Sequence, residues 1–358
     1  MLSSPTVGGS VIETCFRHSS EAFLYPPKKE RALCLFLLSF CLSWISATPA
    51  WPANPMVVVP GWVSSVDICS SNLYVASNDG AVGAFRLADG QKTAEYVHPG
   101  IETPQGPVKS EAYYAICSPD GRWVVSAASS GRLEALDDGL KPLSNVELPE
   151  THSYSAVFAG PSLILVSTIT GHVRAMKLPG LETLWKVKAN WDSIKSIDAA
   201  TSPGYFVTGS NDSRLRIRNL DDGALLKTLS GHKDTIYAVC FGPDGKKLLS
   251  GSKDHRLLYW DVETGASHEL FRASGYILAV RIIADGLMAV SGSEDGEINL
   301  FSLSTFAKLA TFKGKGLPIT AFAYHDGVLY SGSTGGEVDR WNIEEYMPRN
   351  SNHNKKGG

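Results

Sequence analysis

Gly231-His232, Ile236 to Phe241, Gly242-Pro243-Asp244-Gly245, Ser250-Gly251-Ser252, Asp254 and Trp260-Asp261 follow one another without interruption, and their order decides the fold. Two apolar runs flank the Gly-Pro-Asp-Gly turn, and Leu257 to Trp260 supplies a third after the turn at Asp254. A Glu263-Thr264-Gly265 turn leads to a fourth run around Glu269-Leu270-Phe271. Short β-rich runs broken by Gly- and Asp-containing turns every eight to twelve residues or so predict an all-β unit of four strands.

The unit recurs. Positions equivalent to Asp254 are Asp79, Ser130, Thr170, Asp212, Asp295 and Gly335, at intervals of 51, 40, 42, 42, 41 and 40 residues along the chain. Six residues after each comes Phe85, Leu136, Met176, Arg218, Trp260, Phe301 or Trp341. A constant offset inside a period near 41 marks seven repeats of one supersecondary element. Gly-His opening a unit, Ser-Gly-Ser before an Asp turn and Trp-Asp closing the third strand resemble the WD40 repeat. The resemblance is strong over roughly 190–345 and weaker over 56–190. It implies an all-β, seven-bladed WD40 β-propeller, a fold that mostly holds other proteins.

The resemblance also implies a buried hydrogen-bonded relay of His232, Ser250, Asp254 and Trp260, with Ser252 on the same pleat face as Ser250. Buried polar groups need partners, and a complete network pins a blade better than isolated pairs. The same residue types could form a catalytic His-Asp-Ser set; the structural role is the one expected, and no catalytic residue is assigned. Elsewhere the relay thins. Unit six has Ser291 and Asp295 but Phe301, unit seven has Ser331 and Trp341 but Gly335, and units two and three show little beyond hydrophobic spacing.

The last unit stops after its third strand at Trp341-Asn342-Ile343, and Met56-Val57-Val58-Val59 stands before unit one without a partner. Pairing the two would complete the last blade and remove an open edge. The propeller is therefore expected over 56–346, with a polar, frayed tail over 347–358. Residues 1–55 fall outside the pattern. Lys28, Lys29 and Arg31 precede an apolar run over 32–47, too short for a stable membrane span of about 20 residues. A dispensable upstream extension with Met56 as the working start, a secretory signal and an anchor all remain open for it.

Beyond residue 55 the cysteines are Cys69, Cys117 and Cys240, on or beside the first strands of units one, two and five. An odd count without paired spacing argues against a disulfide framework and for a reducing compartment. A cytoplasmic or nuclear location is expected, with the secretory pathway as the alternative if the 28–50 segment is a signal.

With 33 basic and 36 acidic residues the net charge is −3, so direct nucleic-acid binding is not expected. Arg214, Arg216 and Arg218 form the one basic stripe, expected to pack between blades with their heads in water; an anion contact is the alternative. No His or Cys cluster has metal spacing and no phosphate loop is present, so neither metal nor cofactor is expected.

Binding surface is the remaining place for function. In a propeller of this kind the loops between units and the turns between second and third strands share one face. Trp62, Glu111 and Tyr276 stand immediately before the first core residue of their units, with Trp191 nearby and Lys253 and Glu294 in adjacent turns. These six are the candidate partner-binding face, since exposed Trp and Tyr are common interface anchors; covering the blade ends is the plainer role. About ten extra residues around His98-Pro99-Gly100 to Pro107 open on the same side. The expected function is a non-enzymatic scaffold or adaptor binding proteins or peptides within a complex. The alternative is a peptide-motif reader such as a substrate receptor of a ubiquitin ligase. Against the latter, Trp260-Asp261 is followed by Val262 and Glu263 rather than by the Trp-Asp-x-Arg ending common in such receptors.

Overall fold

Seven four-stranded antiparallel sheets follow one another around a ring, and each sheet is one of the repeats. The computed structural model describes residues 55–149 and 152–347. The apolar run at 32–47 and the tail beyond 347 lie outside the described residues. Blade five is representative, with strands Ile236–Phe241, Lys247–Ser252, Arg256–Asp261 and Ser267–Arg272 from the axis outwards. Its second strand is buried almost throughout, because each blade is covered on both faces by its neighbours. The outer strands are open instead: in Lys92–Val97 of blade one only Ala94 and Tyr96 are half-buried, as expected where one face meets solvent.

Blades pack this closely because of one small residue in each. The residue after the relay-serine position is Ala76, Ala127, Ser167, Gly209, Gly251, Gly292 or Gly332 in turn. A β-carbon on Gly251 would stand 2.5 Å from Ile277 Cγ2 in the next blade, and one on Gly332 would stand 2.5 Å from Val63 Cγ1 of blade one. The Gly of the Ser-Gly-Ser pattern is thus space left for the neighbouring inner strand. Side chains also cross between inner strands. Ser65 Oγ accepts from Ala115 N (2.8 Å), Asp67 Oδ2 from Cys117 N (3.0 Å) and Asp198 Oδ2 from Phe241 N (2.7 Å).

The ring closes between blades seven and one. Val57 lies opposite Val338 and Val58 opposite Glu337, so Val57–Val58 forms the outer strand of blade seven. Met56 N donates to Val338 O (3.0 Å) and Val59 N to Gly336 O (2.8 Å). Thr320 Oγ1 donates to Val63 O (2.7 Å), tying the innermost strands of the last and first blades. After the third strand, Glu344–Tyr346 makes a short 3-10 turn. The Tyr346 ring packs 5.9 Å from Phe312, and the Tyr324 hydroxyl reaches Met347 Sδ at 3.6 Å. The chain is therefore still attached at Met347, where the polar sequence suggested fraying.

The cysteine expectation is overturned. Cys69 and Cys117 form a disulfide between the inner strands of blades one and two, with Cα atoms 6.2 Å apart. Their separation of 48 residues is nearly one long repeat, so the ring sets them side by side although no local motif pairs them. The cysteine pattern consequently no longer argues for a reducing compartment. Among the described residues, no helix is long and apolar enough to cross a membrane.

Candidate functional site

The four relay residues come together in blade five. His232 Nε2 lies 2.7 Å from Ser250 Oγ, Trp260 Nε1 donates to the same oxygen at 2.8 Å, and His232 Nδ1 is 3.0 Å from Asp254 Oδ2. With a neutral imidazole, the donors settle the direction: the indole N–H gives to Ser250, the hydroxyl to Nε2, and Nδ1–H to the carboxylate. Burial works against the Asp254 anion, but bonds from His232, Arg256 and the Lys233 amide outweigh it and hold the carboxyl well below its usual range. Ser250 is fully buried between His232 and Trp260, so its oxygen is a link in the network and offers no approach to a substrate. Gly231 is small because a β-carbon there would stand 2.7 Å from the Trp260 ring. Ser252 holds the turn instead of joining the relay, accepting from Asp254 N at 3.0 Å and donating to Asp234 O at 3.2 Å.

Blade two carries more of this network than its sequence suggested. His98, at the start of the long loop, places Nε2 2.7 Å from Ser126 Oγ. Ser130 replaces the aspartate, and His98 Nδ1 is buried without a partner among the described residues. Burial, then the charge of Arg132, push this histidine down to about 4. The signal was hidden because ten extra residues separate His98 from its serine. In blade four Asn190 and Thr208 lie 2.7 Å apart, and turning the amide brings its oxygen within 2.7 Å of Arg216 Nη1. Blade seven has the other half, with Trp341 Nε1 donating to Ser331 Oγ at 2.8 Å.

The arginine stripe is also corrected. Arg216 is buried and pairs with Asp212 at 2.7 Å. Arg218 donates to Gly223 O (2.8 Å) and Ala189 O (2.9 Å), and Arg214 reaches Ser230. Arg214 is exposed as expected, whereas Arg216 is buried and Arg218 half-buried, so their heads hold the blade together instead of reaching into water.

At the end of the ring where the inner strands begin, Tyr276, Lys253 and Glu294 are brought together. Lys253 Nζ stands 5.6 Å over the Tyr276 ring, and Tyr276 N lies 3.5 Å from Glu294 Oε2. Trp191 is 84% exposed and Trp62 47%. Their backbones are anchored, Trp62 N donating to Asn78 Oδ1 (2.8 Å) and Trp191 N to Asp212 Oδ2 (3.4 Å). Glu111 is half-buried, its amide held by Ser129 Oγ at 2.9 Å. Ser153 and Ser193, at corresponding positions, are buried.

Sequence reasoning missed a second set of residues at this mouth. Most inner strands shift register after their first core residue, as between Ile194 and Ser196 or Ile236 and Ala238. A bulge re-aims the extra side chain; here the extra residues include Tyr113, Lys195 and Tyr237. Tyr113 lies 5.1 Å from Tyr154, Lys195 Nζ stands 4.1 Å over Tyr154, and Tyr237 lies 6.4 Å from Tyr276. Burial pushes the Tyr113 hydroxyl up to about 12. The opposite part of the channel forms a cavity of about 490 Å³ whose lining includes Asp67, Asp198, Arg281 and Cys240. Burial, then Asp198, push the Cys240 thiol up to about 12, which leaves it a poor nucleophile.

Residues 223–261, the outer strand of blade four and the first three strands of blade five, match the family model described as WD domain, G-beta repeat. The chain is a seven-bladed β-propeller in which one repeat matches the WD40 family. Among curated proteins, the chain is 48% identical over 48 residues to the human intraflagellar transport protein 122 homolog, covering 13% of the chain. It is 31% identical over 145 residues, 40% of the chain, to the nuclear distribution protein PAC1 of Coccidioides posadasii. The matches span 4% and 26% of those relatives' own lengths. The likeness thus belongs to the propeller and not to the whole of either protein.

Proposed function

We propose that this WD40 propeller is a non-enzymatic scaffold or adaptor that holds partner proteins across the mouth where the inner strands begin. One observation carries the reading: that mouth gathers Trp62, Trp191, Tyr276, Tyr113, Tyr154 and Tyr237 at the ends of a rigid ring, two of them tryptophans with large exposed areas. Exposed aromatics lose little conformational entropy when buried by a partner, which is why a few of them dominate interfaces. Relatives named for intraflagellar transport and nuclear distribution fit membership of a larger assembly. A cytoplasmic or nuclear setting is proposed together with this role, and the Cys69–Cys117 bond is the observation that pulls the other way. The test is affinity capture from cells with the parent and a Trp62→Ala/Trp191→Ala/Tyr276→Ala variant of unchanged melting temperature. Loss of the partners is expected; retention of every partner would move the site to the blade edges or the opposite face.

A further inference from the structure

The outer strand of blade seven faces only Glu337 and Val338, so Arg340 further along the third strand has no strand partner among the described residues. The equivalent Tyr259 of blade five faces His268. A pocket of about 360 Å³ is left at the seam of blades seven and one, and its lining includes Arg340, Tyr330, Ser70 and Ser71. Ser70 and Ser71 belong to the turn after the first strand of blade one, so the pocket opens at the end of the ring opposite the mouth. Arg340 and Tyr330 stand opposite each other on paired strands and share one face of the blade. Tyr330 is only 3% exposed, yet its hydroxyl makes no hydrogen bond among the described residues. Burial pushes this phenol up and the charge of Arg340 opposes the shift, so the guanidinium acts on the hydroxyl. Arg340 itself makes no ion pair or hydrogen bond among the described residues. Two donors line one pocket, and both lack an acceptor.

The neighbouring carboxylates are engaged elsewhere. Asp89 pairs with Arg86 at 2.8 Å and Glu337 with Lys315, while Asp339 feels the charges of Glu337 and Lys315. His325, also on the pocket wall, is 3.5 Å from Asp326 and is left out of the site. We propose that the seam pocket binds a phosphate group, held by the guanidinium fork of Arg340 and the hydroxyl of Tyr330, with Ser70 and Ser71 as donors from blade one. A carboxylate is the poorer fit. Its two oxygens lie in one plane and the fork alone satisfies them, whereas a tetrahedral phosphate has further oxygens for the hydroxyls. The site is separate from the mouth and does not depend on what the mouth binds.

Isothermal titration calorimetry on the full chain, at constant ionic strength in chloride buffer, tests this. The probes are inorganic phosphate and ten-residue glycine-serine peptides carrying one phosphoserine or one glutamate. The phosphoserine peptide is expected to bind about tenfold more tightly than the glutamate one. Tighter binding of that peptide than of free phosphate assigns the site to a phosphorylated segment, and the reverse order assigns it to the free ion. Arg340→Met should weaken either phosphate probe about tenfold and Arg340→Lys by less, with melting unchanged in both. Tyr330→Phe, which keeps the ring and removes the hydroxyl, should weaken it about threefold. Absence of binding by both phosphate probes, equal binding of the glutamate and phosphoserine peptides, or an unaffected Arg340→Met would overturn the proposal.

Discussion

Two aspartates show how residue surroundings set opposite responses to pH. Asp254 is held ionised by His232, Arg256 and a backbone amide, so its stabilisation is present above its unfolded value of 3.8 and fades as pH falls through its lower folded value. Asp198 behaves in reverse. Burial pushes its carboxyl up to about 6 despite amide bonds from Phe241 and Ala199. The folded protein therefore holds this proton more tightly than the unfolded chain. Its contribution is greatest below pH 3.8, declines as pH rises to 6 and stays low above that. Asp198→Asn keeps an acceptor for Phe241 N and has no charge to bury. It should be more stable than the parent at pH 7 by about 1–2 kcal/mol, with the difference gone near pH 4. Urea unfolding at both pH values checks this, and parallel behaviour of the two proteins would rule it out. At Trp260 packing and hydrogen bonding can be separated. Trp260→Ala should cost about 3–5 kcal/mol, and Trp260→Phe, which keeps most of the ring volume but removes the indole N–H, about 1–2 kcal/mol. A Trp260→Phe protein as stable as the parent would mean that the relay adds nothing to packing.

The blade is the unit that the sequence discloses best. All seven turn positions from Asp79 to Gly335 lie between second and third strands, because period and offset survive where residue identity does not. The relay was legible only where its residues keep standard spacing, as in blade five; the inserted loop concealed His98, and Asn190 and Arg216 do the work with other side chains. The mouth was half legible. Trp62, Trp191 and Tyr276 could be placed by counting, but Tyr113, Lys195 and Tyr237 depend on bulges that no local pattern announces. The disulfide was illegible, since it depends on which inner strands adjoin. The small residue beside each relay position has a measurable role at this scale. Gly332→Val would drive a branched side chain into Val63 and Val66 across the closing seam, and a loss of about 1–3 kcal/mol is expected in thermal or urea unfolding. An unchanged midpoint would show that blades seven and one have slack between them.

The ring as a whole depends on two residues of outer strand. Val57–Val58 is the whole outer strand of blade seven among the described residues, whereas the other outer strands run to six or seven. A chain beginning at Gly61 should lose that pairing, melt at a lower temperature and associate through the freed edge of Glu337–Asn342. Light scattering with calorimetry measures both, and a monomer with unchanged melting would break the closure account. A closed ring also gives the binding proposal its meaning, because only rigid blades keep the aromatics at one mouth. Hydrogen exchange on the full chain, alone and bound to a captured partner, tests that claim most directly. The account predicts new protection in the segments around Glu111–Tyr113, Tyr154, Trp191–Lys195, Tyr237, Lys253 and Tyr276. Protection confined to the outer strands, or to the turns such as Gly242–Gly245 at the other end of the channel, would contradict it.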